Sequence, residues 1–203
     1  MLGIVFTTTE EATSFVRQCT SGHTEALDEG SPLQTDDLLV AVTGKGKIKA
    51  TLSTERLLEQ YDLTAVLHTG TCTALDPDLS LGTIVGASFV LEGDRVELDA
   101  PTYPRMPLEC PFEVSAEGTL VSQDHASSDA DEHSYWERIA NVRDETGYAV
   151  AYVAAQHGVP CHIAKVVSAS ADQESDAVPQ EEASDAIAAF LETATATRTE
   201  REI

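Results

Sequence analysis

Basic residues are scarce: 12 lysines and arginines stand against 35 aspartates and glutamates in 203 residues, a formal net charge of −23. Nucleic acid and anionic membranes both need a basic footprint, so neither is expected as a partner. The acidity reads as a well-solvated surface, of a kind that also suits a saline medium. Long apolar runs are missing too, and without eighteen apolar residues in a row no membrane-spanning helix is expected. Met1-Leu2-Gly3-Ile4-Val5-Phe6 is apolar but short, with no basic segment before it, which is not the pattern of a signal peptide. The four cysteines (Cys19, Cys72, Cys110 and Cys161) are widely spaced and form no CxxC pair. That argues against a zinc knuckle and a disulfide scaffold, and for reduced thiols in a cytoplasmic protein. The six histidines show no HxxxH or HExxH spacing, so neither a metal nor another cofactor is expected.

Apolar runs alternate with helical patterns, which predicts an α/β layer fold. Strands are expected at Gly3–Phe6, Leu38–Val42, Thr64–His68, Thr83–Val90, Arg95–Leu98 and Cys161–Ser168. Thr8 and Glu11 have the spacing of a capping box that opens a helix. A second helix follows the Thr43–Lys47 turn and runs to about Gln60, and a third runs from Thr146 to a C-cap at Gly158. The prolines between residues 100 and 112 predict a loop or an extended edge, and Ser127–Glu132 an exposed loop. Ala183, Ile187 and Leu191 lie on one face of a closing helix. One domain is expected over residues 1–192, with a frayed tail at 193–203.

Several segments could carry chemistry. The glycine loop Thr43–Lys49 holds three of the four lysines (Lys45, Lys47 and Lys49) at a strand-to-helix turn, where backbone N–H groups suit an anion or sugar oxygens. It lacks P-loop spacing, and the lysines also serve simply to keep a helix start soluble. Thr69-Gly70-Thr71-Cys72-Thr73 reads as a small-residue turn at a strand exit, where Thr71 and Cys72 allow close approach of a ligand. Glu10 is placed to activate water, although acidic residues in a first helical turn also answer the helix dipole. Asp124 and His125 are polar candidates, and Tyr148 offers a face for a nucleobase. Trp136 and Tyr135 fit better as core or interface anchors.

Six fragments in order resemble the purine nucleosidase / nucleoside phosphorylase superfamily, most of all its methylthioadenosine/adenosylhomocysteine nucleosidase branch. They are Gly3-Ile4-Val5 with Glu10-Glu11, Thr43–Lys47, His68–Leu75, Leu81–Val85, Arg143–Ala151 and Val166–Gln173. The resemblance implies a mixed central sheet flanked by helices in a single domain, assembled as a homodimer or a larger homo-oligomer. It implies cleavage of the N-glycosidic bond of a purine nucleoside, with Glu10 as the water-activating glutamate and a substrate site that includes Gly44, Thr71, Cys72, Asp124, His125, Thr146 and Tyr148. The chain departs from the pattern at Gln123, where the family has glycine, at Ala126, where it has a base-stacking phenylalanine, and at two carboxylate positions. The family's sugar-gripping glutamate falls at Thr146, and its base-protonating aspartate at Ala169. Asp172, three residues on, is the nearest replacement acid.

Three readings follow. The chain is an active nucleosidase with a replacement acid, a member that has lost the chemistry and binds a nucleoside, or a phosphorylase that holds phosphate on Lys45 or Lys47.

Overall fold

Strand β1 (Leu2–Phe6) is buried at all five positions, because it lies between two parallel neighbours with helices over both faces. The computed structural model describes residues 1–19, 27–35, 37–94, 104–125, 130–171 and 177–201. After β1 come α1 (Thr9–Cys19), β2 (Leu33–Gln34), β3 (Leu38–Val42), α2 (Lys47–Gln60) and β4 (Ala65–Ala74). Next are β5 (Ile84–Glu92), β6 (Arg105–Pro107), β7 (Ala116–Ser122), α3 (Ala130–Glu137) and β8 (Val142–Asp144). The chain ends with α4 (Gly147–Gln156), β9 (Cys161–Ser170) and α5 (Gln180–Arg201).

The strands form one mixed sheet, in the order β2-β3-β1-β4-β8-β7-β5-β6, with β9 bridging β4 and β5. That bridge closes β4, β9, β5, β7 and β8 into a ring. One edge of β4 first pairs with β1, through His68, and then with β8, from Thr73 onward. The gap between these two pairings is where the cleft described below opens. Gly70 lies in it at φ 137°, and a Cβ there would stand 2.8 Å from the Glu11 carboxylate. Only glycine fits that approach.

Helices cover both faces. On one side Phe15 and Val16 of α1 pack with Ile187 and Leu191 of α5, over Ile4, Phe6 and Val166. On the other, Ala50 and Leu57 of α2 join Val150 and Ala154 of α4. A smaller cluster around Trp136 seals the α3 end with Leu75, Leu91 and Val121, so the tryptophan is a core anchor.

The α/β expectation holds, and so does the mixed sheet that the resemblance implies. The capping box forms in both directions: Glu11 N–H donates to Thr8 Oγ1 at 3.4 Å, and Thr8 N–H to Glu11 Oε2 at 3.0 Å. Gly158 follows α4 at φ 69°, the left-handed conformation of a helix stop.

Two expectations are corrected. Thr69–Ala74 continues β4 instead of turning, because β9 pairs along it on both sides of one bulge at Cys72/Thr73. Residues 130–132, read as loop, open α3. Helix α5 runs to Arg201, and its Ala194 is buried. The expected strand Arg95–Leu98 and residue Asp172 lie outside the described residues.

Candidate functional site

A cleft of about 360 Å³ opens at the carboxyl ends of the strands, where open α/β sheets place their ligands. Thr7 and Thr8 leave β1, and Glu10 and Glu11 follow in the first turn of α1. Thr71, Cys72 and Thr73 come from β4, and Ser168 from the end of β9. Arg143, Asp144 and Glu145 enter from β8 and its exit, with Lys45 and Gln180 at the rim. The walls are thus rich in hydroxyls and carboxylates.

Glu11 is the best-held of these groups. Its Oε2 accepts from the N–H of Thr7 at 3.2 Å and of Thr8 at 3.0 Å. Its Oε1 accepts from both the N–H and the hydroxyl of Thr71, each at 2.7 Å. The Thr71 N–H is free for this because it falls in the gap between the β1 and β8 pairings. Of the four donors only the Thr71 hydroxyl can rotate, and turning it frees an Oε1 lone pair for a water. Glu10 is exposed and accepts from the Thr9 hydroxyl at 3.3 Å. Its carboxyl is held below the usual range, chiefly by its own backbone N–H.

Beneath the cleft lies a network that the sequence reading does not identify. The Lys165 side chain is 1% exposed and spends all three ammonium hydrogens inside the protein. It meets Asp144 Oδ2 at 3.1 Å, His68 Nε2 at 2.8 Å and the Thr69 carbonyl at 3.5 Å. The Val5 carbonyl, 2.9 Å from His68 Nδ1, can only accept, so Nδ1 carries the hydrogen and Nε2 is the acceptor facing Lys165. Burial, and then the Lys165 charge, hold the His68 pKa below its usual value and the ring neutral. Asp144 accepts from the Ser122 hydroxyl at 2.7 Å and from the N–H of Gly147 at 2.9 Å, so it also caps α4. Burial opposes its charge, but Lys165 and the hydrogen bonds prevail and hold it well below the carboxylate range.

His68 has a depressed folded pKa, so below the unfolded value near 6.5 the unfolded chain binds the extra proton. Its contribution is complete above about 6.5 and falls as the solution is acidified. Unfolding free energy should therefore drop by up to about 1.4 kcal/mol per pH unit from this one group. Urea melts between pH 7.5 and 5 of the wild type and His68→Asn should show a shallower slope in the variant; equal slopes would remove His68 as the cause.

The sequence candidates divide sharply. Glu10, Thr71 and Cys72 line the cleft. Burial pushes the Cys72 thiol far up, so it is no nucleophile. Thr146 does not reach the cleft: it is 0% exposed, and its hydroxyl is spent on Thr7 Oγ1 at 2.9 Å and His68 Nε2 at 3.0 Å. Asp124 instead accepts the Lys47 N–H at 2.8 Å and so occupies the start of α2. That carboxylate takes the place that the glycine turn would offer an anion. Lys47 itself is paired with Glu92 and Asp94, and Lys49 with Glu29. Gly44 donates its N–H to the Thr7 carbonyl at 3.0 Å and packs beside Lys49. Tyr148 stacks on Tyr152 at 6.0 Å, away from the cleft, and His125 is exposed outside its lining. Arg143 and Glu145 line the cleft and escaped sequence reasoning; their alternation about the buried Asp144 on β8 is the signal that could have found them.

Comparison with known proteins places this frame. Residues 8–199 match the family model described as the phosphorylase superfamily. A 62-residue stretch is 36% identical to the 5'-methylthioadenosine/S-adenosylhomocysteine nucleosidase of Staphylococcus epidermidis, covering 30% of this chain and 27% of that one. The match to the aminodeoxyfutalosine nucleosidase of Helicobacter pylori is 28% identical over 163 residues, or 69% of this chain and 70% of that one. Among solved structures, a futalosine hydrolase mutant of Helicobacter pylori superposes with a TM-score of 0.79 at 19% identity, covering 97% of this chain and 98% of that one. At that identity the likeness concerns the fold.

Proposed function

Because this chain belongs to the phosphorylase superfamily, we propose that it is a nucleosidase, hydrolysing the N-glycosidic bond of a purine nucleoside of the methylthioadenosine/adenosylhomocysteine class. One observation carries the reading: a carboxylate on four hydrogen bonds, Glu11, faces a hydroxyl-lined cleft at the strand ends. The water-activating role goes to Glu11 in preference to Glu10, since a base locked in place costs no reorganisation at the moment of reaction. Water on the Thr71 side attacks the anomeric carbon while the bond from that carbon to the base nitrogen breaks. Glu11 takes the water's proton, and Asp172 delivers one to the departing base. Anionic walls suit the cation-like sugar between those events.

The protein acts as a cytoplasmic homo-oligomer, dimer or larger. The exposed Ile48 and Leu52 of α2 and Tyr152 of α4 supply apolar surface for assembly.

A second reading rests on Ala169 and on the engagement of Thr146 beneath the cleft: a nucleoside-binding member without turnover. A third rests on Lys45 and Arg143 at the cleft, cations that suit phosphate as co-substrate. Base release from methylthioadenosine, adenosylhomocysteine, adenosine and inosine, with and without phosphate, separates them. Release without phosphate supports the hydrolase, release only with phosphate the phosphorylase, and thermal stabilisation without release the binder.

A further inference from the structure

Breaking an N-glycosidic bond moves an electron pair onto the base, so the wall that faces the base must accommodate negative charge. The cleft is otherwise anionic, with Glu10, Glu11, Asp144 and Glu145 in its lining. Among the described residues two cations share that lining, and they differ. Lys45 is exposed at the rim and acts on the Glu10 carboxylate. Arg143 is half-buried, and among the described residues its guanidinium makes no hydrogen bond and no ion pair. Burial lowers its pKa against the charge of Glu132, but a guanidinium stays protonated at any working pH. Five donors on a partly desolvated cation call for an anionic or electron-rich partner.

The position of Arg143 along the sheet fits a departing base. Glu11 is anchored on Thr71 of β4. Two residues further along β4, Thr73 is the register partner of Arg143 on β8, and both line the cleft. Two residues of strand span about 7 Å. That is room for a water on Glu11, the anomeric carbon and the base nitrogen to lie in line. The rest of the row is uncharged: Val121 pairs with Arg143 from β7, and Ala169 pairs with Thr73 from β9. Arg143 is thus the one charged side chain in that row of four.

We infer that Arg143 is the leaving-group residue of this cleft: its guanidinium binds the ring of the departing base and carries the negative charge that arrives there when the glycosidic bond breaks. This rests on the nucleosidase reading for its reaction. The water oxygen bonds to the anomeric carbon, and the water's proton goes to Glu11. The electron pair of the carbon–nitrogen bond goes to the base, which stays paired with Arg143 until it takes up a proton from Asp172.

The test compares adenosine with 6-chloropurine riboside, whose electron-poor base needs less help to leave, on wild type, Arg143→Ala and Arg143→Lys. Arg143→Ala should lose roughly 100- to 1000-fold in kcat on adenosine, the range for removing a preorganised donor from developing charge. The loss on the chloropurine should be much smaller, with Arg143→Lys intermediate and the thermal midpoints unchanged. Added guanidinium ion should restore part of the adenosine turnover of Arg143→Ala and leave the wild type as it was. Equal losses on both substrates without rescue, or no loss on adenosine, would overturn the assignment. So would turnover that needs phosphate in the wild type and loses that need in Arg143→Ala, which would make Arg143 a phosphate ligand. If the wild type cleaves neither substrate, the hydrolase reading fails, and calorimetric titration with free adenine decides Arg143. Binding weakened about 10-fold or more in Arg143→Ala keeps it as the base-holding group; equal binding, or none in the wild type, overturns it.

Discussion

Replacing Asp144 with asparagine is expected to destabilise the protein by about 3–5 kcal/mol, the usual cost of leaving one member of a buried ion pair without its partner. The Lys165 ammonium sits at 1% exposure, with no water to turn to. The same change weakens the cap on α4, since asparagine keeps only one acceptor where Asp144 receives Ser122, Gly147 and Lys165. For a chain of this size the thermal midpoint should fall by roughly 10 °C or more. Lys165→Met alone should cost a similar amount, by stranding the carboxylate. The double variant should be less damaged than the sum of the two, because an apolar replacement strands no charge. Strict additivity of two losses under about 1 kcal/mol would show that the pair does not hold the floor of the cleft. The pH dependence has a definite sign. The folded pKa of Asp144 is depressed, so its contribution is present above the unfolded value near 4 and is lost as pH falls through the folded one.

Glu11→Gln is expected to lower turnover about 10²- to 10⁴-fold, the range for loss of a positioned general base. Glutamine keeps the shape and loses the base. It also turns an NH₂ group onto backbone donors whichever way it is oriented: Thr7 and Thr8 on one side, Thr71 on the other. Some stability, about 1–3 kcal/mol, should go with it, so the assay belongs well below the variant's melting temperature. Glu10→Gln, on an exposed group, should change turnover only a few-fold. The reverse order, with Glu10→Gln inactive and Glu11→Gln active, would return the role to Glu10.

The contrast between these two glutamates shows what local sequence can and cannot resolve. The capping box was legible because Thr8 and Glu11 are three residues apart, and the bond between them formed. Which glutamate of the turn faces the sheet was not, because that depends on Thr71, 60 residues away. The fold was readable where burial demands an unbroken apolar run, as in β1 and β3, or a helical spacing, as in α4. It misled at Thr69–Ala74, where glycine and hydroxyl residues imitate a turn but β9 imposes a strand. The Lys165 network left a trace in the sequence, a lysine inside the apolar run Ile163–Val167. Its partners lie on strands that only the closed ring brings together. Thr146 shows the converse: a position singled out by resemblance whose hydroxyl is consumed by Thr7 and His68 instead of the substrate.

The most direct test of the account is the time course of free adenine release from methylthioadenosine in phosphate-free buffer, wild type beside Glu11→Gln. Steady release by the wild type, reduced at least 100-fold in the variant, is expected. Absence of release by the wild type, or equal release by both proteins, would contradict it.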